Sequence, residues 1–309
     1  VNAGNPILVV GSVAFDDVRT PFGQGEGLLG GSATHFSVAA SFFSPVRLVA
    51  VVGDDFQDVH AAPLRERGVD LSGLQRRHGR TFRWAGEYDF DLNNPRTLDT
   101  QLNVFAEFTP ELPAGWEDSP VVFLANIDPE LQGQVRAMVR EPRLVAADTM
   151  NFWIAGKPDA LRRTLRGVDV LLINDGEIRQ LTGTWNLVEA AEEIHALGPR
   201  TVVVKRGEHG VLVFAPGDVF AVPAYPLRRV LDPTGAGDAF AGGFLGQLAA
   251  RLARDPEPDW RRAAVVGSVM ASFQVESFSL ERVRGLRPGE IEERYAAFRK
   301  LTDFGDFQR

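Results

Sequence analysis

The chain reads as an α/β protein: a three-layer sandwich with a mostly parallel central sheet flanked by helices, plus a small, separate β-sheet. Three observations predict this. From Pro120 onward, short apolar runs (Val121–Ala125, Leu144–Ala147, Val170–Ile173 and Thr201–Val204) alternate with helical stretches. That alternation calls for parallel strands with helices on both faces. Pro6–Val10 is an unbroken apolar run ending at Gly11, as expected of a strand buried on both sides. Between Thr81 and Phe108 helical patterning lapses, and Thr81–Phe90 and Thr97–Phe105 tend to alternate instead.

Taken in order, the first strand runs into Gly11-Ser12-Val13-Ala14-Phe15-Asp16-Asp17. A polar cluster beyond the carboxyl end of a central strand is where open α/β sheets bind ligands. Asp16 could accept hydrogen bonds from two sugar hydroxyls at once, or simply cap a turn. Gly25-Glu26-Gly27-Leu28-Leu29-Gly30 matches Gly-x-Gly-x-x-Gly, but it does not follow directly on the first strand, so a dinucleotide fingerprint is set aside. Gly30-Gly31-Ser32-Ala33-Thr34-His35 opens a helix to about Phe43. Val46–Val52 is a second strand, and a helix follows to Arg67, ended by Gly68-Val69-Asp70. Asn93-Asn94-Pro95-Arg96 is a turn between the two alternating stretches, which therefore form a hairpin. With the segment around Phe15–Leu29, this hairpin would make a small sheet over the substrate pocket. The later strands all end in polar residues: Asn126 and Asp128, Asp148 and Asn151, Asn174 and Glu177, Lys205 and Gly207. Their convergence on one sheet edge is the layout of an active-site crevice. Trp260–Phe273 is a largely apolar helix and Pro288–Leu301 a charged amphipathic one.

Composition sets limits. The 309 residues suffice for one large or two ordinary domains, with 44% hydrophobic and 24% charged residues. A net charge of −8 argues against a general nucleic-acid binder or a membrane-surface protein, yet a local backbone nest can still bind phosphate. The absence of cysteine removes disulfides, thiolate metal sites and cysteine nucleophiles. Val1–Pro6 has no basic n-region, and no apolar run is long enough to span a bilayer, so a soluble cytoplasmic protein is expected. There is no Gly-x-x-x-x-Gly-Lys-Ser/Thr, no Gly-x-Ser-x-Gly, and no metal-ligand spacing among the five histidines.

The most informative stretch is Asp232-Pro233-Thr234-Gly235-Ala236-Gly237-Asp238-Ala239-Phe240. Phe240, Phe244, Leu248 and Leu252 recur every fourth residue, so the glycines open a buried helix. Unpaired N–H groups and the positive dipole end there attract an anion such as phosphate. Asp238 in the first turn could accept a proton from an attacking hydroxyl, or merely complement the dipole.

This string closely resembles the C-terminal signature of the ribokinase-like (PfkB) family of carbohydrate and nucleoside kinases. The resemblance implies one ribokinase-like kinase domain over 1–309, with a discontinuous β lid from about 13–29 and 80–108. It implies that Gly235, Ala236 and Gly237 hold the transferring phosphate and that Asp238 is the catalytic base. Asp16, Gly30, Gly31, Ser32 and His35 fall where the family holds substrate hydroxyls, although His35 replaces a usual Asn. Asn174-Asp175-Gly176-Glu177 matches the family's Asn-x-x-Glu motif, which implies ATP and Mg²⁺, with Glu177 meeting the metal through water; Asn174 could also simply cap its helix. Lys205 and Gly207 resemble the nucleotide-binding strand end. In many relatives the segment after the Trp260–Phe273 helix helps bind a monovalent cation; here it reads Val275-Glu276-Ser277-Phe278-Ser279 without a glycine, and an activating K⁺ is not carried over.

The expected reaction is transfer of the ATP γ-phosphate to a primary hydroxyl of a small sugar, with Asp238 kept ionised by the helix dipole. Two alternatives stand beside it: a nucleoside kinase, with Phe15, Phe22, Phe36 and Trp84 walling a base pocket, and a non-catalytic sugar sensor. The lid is also a natural homodimer surface.

Overall fold

The computed structural model describes residues 4–93, 95–303 and 305. Val1–Ala3 and Asn94, used above for the leader and turn readings, lie outside the described residues. Strand β1 (Ile7–Val10) leads into β2 (Ala14–Thr20) and β3 (Gly23–Gly30), then α1 (Ser32–Ala40), β4 (Val46–Val52), α2 (Asp58–Glu66) and β5 (Asp70–Arg76). Next come β6 (Phe82–Glu87), β7 (Arg96–Gln101), a 3-10 turn at Asn103–Glu107, β8 (Val121–Leu124), α3 (Pro129–Met138) and β9 (Leu144–Asp148). The chain goes on through α4 (Asn151–Gly156), α5 (Pro158–Leu165), β10 (Val170–Asn174), α6 (Asp175–Thr182), α7 (Leu187–Leu197) and β11 (Thr201–Lys205). After a 3-10 turn at Gly207–His209 it ends with β12 (Val211–Ala215), β13 (Asp218–Val222), α8 (Ala236–Leu252), α9 (Trp260–Gln274), α10 (Glu281–Arg284) and α11 (Pro288–Thr302).

Nine strands form the central sheet in the order β13-β12-β11-β10-β9-β8-β1-β4-β5. From β5 to β11 every neighbouring pair is parallel; only β11–β12 and β12–β13 are antiparallel. The apolar runs become strands because each has an apolar layer on both sides. Ile7 and Val9 pack with residues of α1, α8 and α9, whereas Leu8 and Val10 join Val135 of α3 on the opposite face. β1 has β4 on one side and β8 on the other, so the strand order reverses there and a crevice opens at the carboxyl ends.

The second sheet has the order β3-β2-β6-β7 and is drawn from two separate stretches of chain, as expected. β6 and β7 are antiparallel, and β2 pairs β6 in parallel with Asp16 opposite Trp84. The glycine-rich run set aside as a dinucleotide fingerprint is β3 itself, part of this lid. Three further strands complete the central sheet beyond those expected, and only β5 lacks an apolar run. β5 is polar and half-exposed, and β12 and β13 continue the sheet as an antiparallel edge. Among the described residues, no helix is long and apolar enough to cross a membrane.

Candidate active site

The site is built on the first turn of α8. Gly235 is its N-cap, with φ +75°. A side chain there would be strained by the left-handed backbone and would also strike the ring of His35. Asp232 fixes the approach, its Oδ1 accepting the Thr234 N–H at 2.8 Å. The Ala236 N–H turns back to the Pro233 carbonyl at 3.1 Å. Among the described residues, the amides of Gly235, Gly237 and Asp238 have no such partner, so these three, rather than Ala236, present donors to an anion.

Asp238 is partly accessible beside them. Burial pushes its carboxyl up to about 8; Asp148 and Asp16 push the same way, and Lys205 opposes them. The sequence expectation of an ionised, weakly basic Asp238 is corrected here: loss of solvent and two neighbouring carboxylates favour its protonated form. Lys205 Nζ lies over the same turn, 3.2 Å from where a Gly237 Cβ would stand. It donates to Asp148 Oδ2 at 2.6 Å. Burial works against the lysine's charge, but Asp148, Glu177 and Asp238 hold its pKa above the ordinary value. Asp148 was visible in the sequence only as one of several strand-end polar residues.

On the opposite side, Asp16 of β2 is 6% exposed and its carboxylate lies directly against Gly30, where a Cβ would overlap it. Burial raises Asp16 to about 7, Asp232 adds to this, and the Gly31 amide opposes it. Gly31 caps α1 with φ +95°. Ser32 is committed to the framework: its amide donates to Ser12 Oγ at 3.0 Å, and its Oγ accepts the Ser12 N–H at 3.2 Å. His35 is 2% exposed, its ring packed on Gly235 and its Nδ1 without a partner. Burial lowers its pKa to about 4, so the imidazole is neutral. His35 thus lies beneath the Gly235 turn rather than in an open pocket.

The lid closes over this crevice. Thr20 Oγ1 donates to the Leu231 carbonyl at 2.9 Å, and Thr234 Oγ1 donates to the Tyr88 hydroxyl at 3.3 Å. Tyr88 is 8% exposed and faces the charges of Asp232, Asp16 and Asp238. Nothing in the sequence pattern marks it. Of the four aromatics expected to wall a pocket, Phe36 stacks on Phe123 at 4.3 Å in the core, and Phe15 lies edge-on to His60 at 4.8 Å. Phe22 is exposed. Trp84 lies over Gly86, its Nε1 donating to Thr97 Oγ1 at 3.3 Å.

On the nucleotide side, Asn174 and Glu177 form a reciprocal cap of α6. Asn174 Oδ1 accepts the Glu177 N–H at 2.7 Å, and Glu177 Oε2 accepts the Asn174 N–H at 2.8 Å. The capping reading of Asn174 is therefore satisfied, and the cap uses Glu177 Oε2 and not Oε1. Burial raises Glu177 to about 7, against the pull of Lys205. Among the described residues, no group of three or more His, Cys, Asp or Glu side chains could hold a metal. Such a site fits Mg²⁺, which keeps water and phosphate ligands and needs few protein oxygens. Gly207 is covered by the Asn93 carboxamide from the β6–β7 connection.

Comparison with known proteins places this geometry. Residues 137–282 match the family model described as pfkB family carbohydrate kinase. The chain is 31% identical over 246 residues to a cytidine kinase of Thermococcus kodakarensis, covering 77% of this chain and 87% of that one. The inosine complex of a Burkholderia thailandensis nucleoside kinase superposes with a TM-score of 0.78 at 18% identity, over 96% of this chain and 98% of that one. An E. coli structure of the ribokinase type in complex with ATP and Mg²⁺ gives 0.78 at 18% identity, over 95% and 99%. The fold is thus ribokinase-like, and the chain belongs to the PfkB family of kinases, phosphotransferases with an alcohol group as acceptor.

Proposed function

We propose that the protein phosphorylates a nucleoside, moving the γ-phosphate of ATP to the primary hydroxyl of the ribose. The observation that carries this is the identity with the cytidine kinase across most of both chains. It favours a nucleoside over the free sugar expected from sequence. The geometry supports it. Asp16, set against Gly30 with the Gly31 amide beside its carboxylate, keeps acceptor lone pairs for the hydroxyls of a vicinal diol. Trp84 pairs with Asp16 across β2 and β6, so both project from one sheet face, and an indole there can stack on a base. The whole chain acts as one catalytic unit in this reading, the small sheet serving as its cover.

In the reaction, the substrate hydroxyl attacks the γ-phosphorus, the bond to the β–γ bridging oxygen breaks, and ADP leaves. Asp238 takes the hydroxyl proton. A carboxyl tuned near 8 is a better match to this task at neutral pH than an ordinary aspartate. The amides of Gly235, Gly237 and Asp238 receive the transferring oxygens, and Lys205, held by Asp148, adds a point charge beside them. Asn174 and Glu177 would hold Mg²⁺ through water; when bound, the metal neutralises charge on the β- and γ-phosphates.

The test is a panel of cytidine, adenosine, inosine, ribose, fructose and 2-keto-3-deoxygluconate, each with ATP and Mg²⁺. The expected result is a kcat/KM for at least one nucleoside roughly 100-fold above that of any free sugar, as loss of base contacts dictates. A free sugar turned over faster than every nucleoside would overturn the proposal.

A further inference from the structure

The carboxyl end of α9 carries a buried polar side chain that the chemistry above does not use. Gln274 is 1% exposed. Its Nε2 donates to two main-chain carbonyls from different segments, Thr234 at 3.2 Å and Ser279 at 2.7 Å. Only the NH₂ end of the carboxamide can meet two carbonyl oxygens, so its orientation is fixed by its partners.

Each partner leads to the site. Thr234 immediately precedes Gly235, the N-cap of the phosphate cradle. Ser279 has φ +53°, a strained value for a non-glycine residue, and its Oγ donates to the Leu29 carbonyl at 2.5 Å, next to Gly30. Leu231 N–H donates to the Val275 carbonyl at 2.8 Å. The Asp232 carboxylate lies alongside, with Oδ2 buried and unpartnered. One carboxamide therefore joins the cradle loop, the 275–279 segment and the substrate-side end of β3.

Carbonyl oxygens and a carboxylate gathered in a buried place create a negative potential that must be met by N–H donors or by a cation. In many relatives of the resembled family the segment after this helix helps bind a monovalent cation, which is not carried over to this chain. The residues present do not fit one bridging Thr234 and Ser279: a single nitrogen, Gln274 Nε2, already takes the bridging position, 3.2 and 2.7 Å from the two oxygens.

We infer that Gln274 is a positioning residue standing where a monovalent cation would otherwise bridge the Thr234 and Ser279 carbonyls, so that phosphoryl transfer in this protein requires no K⁺. Its carboxamide sets the pitch of the cradle relative to Gly30 and the acceptor hydroxyl. This rests on the family's kinase activity and not on which acceptor is used.

The test compares K⁺, Na⁺ and choline at equal ionic strength in the full chain. Melting temperature is measured without substrate, and initial rate with the best acceptor of the panel. Wild type is expected to melt and turn over alike in all three. Gln274→Met keeps the bulk without the donors and should lower kcat about tenfold with KM little changed, unrelieved by K⁺. Gln274→Ala opens the space, and K⁺ but not choline should raise both its melting temperature and its rate. A wild type that gains stability or rate in K⁺, a methionine variant at full speed, or an alanine variant indifferent to K⁺ each overturns the inference. The wild-type measurement decides even if a variant does not fold, and the melting arm decides even if no acceptor on the panel is phosphorylated.

Discussion

Burial and its neighbours push the Asp238 carboxyl up to about 8, which favours a bound proton at neutral pH in the ligand-free protein. A base must first lose that proton, so kcat/KM should rise with pH and level off above about 8. A profile flat from pH 6 to 9 would remove Asp238 from the base role. Asp238→Asn should lower kcat by about a thousandfold while leaving ATP affinity, read by calorimetry, near wild type. Asp238 and Gly235 could be singled out because they lie in one short string. Asp148, Gln274 and Tyr88 were not, since each acts through a partner 57, 40 or 146 positions away. Ser32 and His35 were singled out by their place in a motif, yet packing gave the first to Ser12 and set the second beneath Gly235.

At the scale of elements, the first turn of α8 is the part least able to change. Gly235→Ala would place a side chain at φ +75° and against the His35 ring, costing roughly 2–4 kcal/mol in a urea titration. Activity should fall further than stability, because the cradle amides move with the backbone. An alanine variant as stable and active as wild type would show that the turn is not constrained. The strands that could be read were those buried on both faces, such as Val46–Val52, whose limits match β4. β5 escaped notice because half its side chains face water, and its place is dictated by β4, not by its own pattern. The lid strands showed as a change of texture, but their parallel β2–β6 pairing depends on two distant stretches meeting.

For the whole molecule, three acids share one cost. Burial pushes Asp16, Glu177 and Asp238 up to about 7, about 7 and about 8 in the folded chain, above the ordinary 3.8, 4.5 and 3.8. Between about pH 4 and 8 the folded state binds more protons than the unfolded one, so stability from this source is full below pH 4 and declines as pH rises through 8. Thermal melts should therefore show less stability at pH 8 than at pH 5.5, and Asp238→Asn should flatten that slope. A melting temperature that climbs steadily from pH 5.5 to 8 would contradict it.

The Asn93 carboxamide resting on Gly207 has a kinetic consequence. In the proposed reaction, the sheet that covers the acceptor also leans on the turn assigned to the nucleotide, so two exits would share one gate. Asn93→Ala, which removes that contact, is then expected to hasten departure of both products.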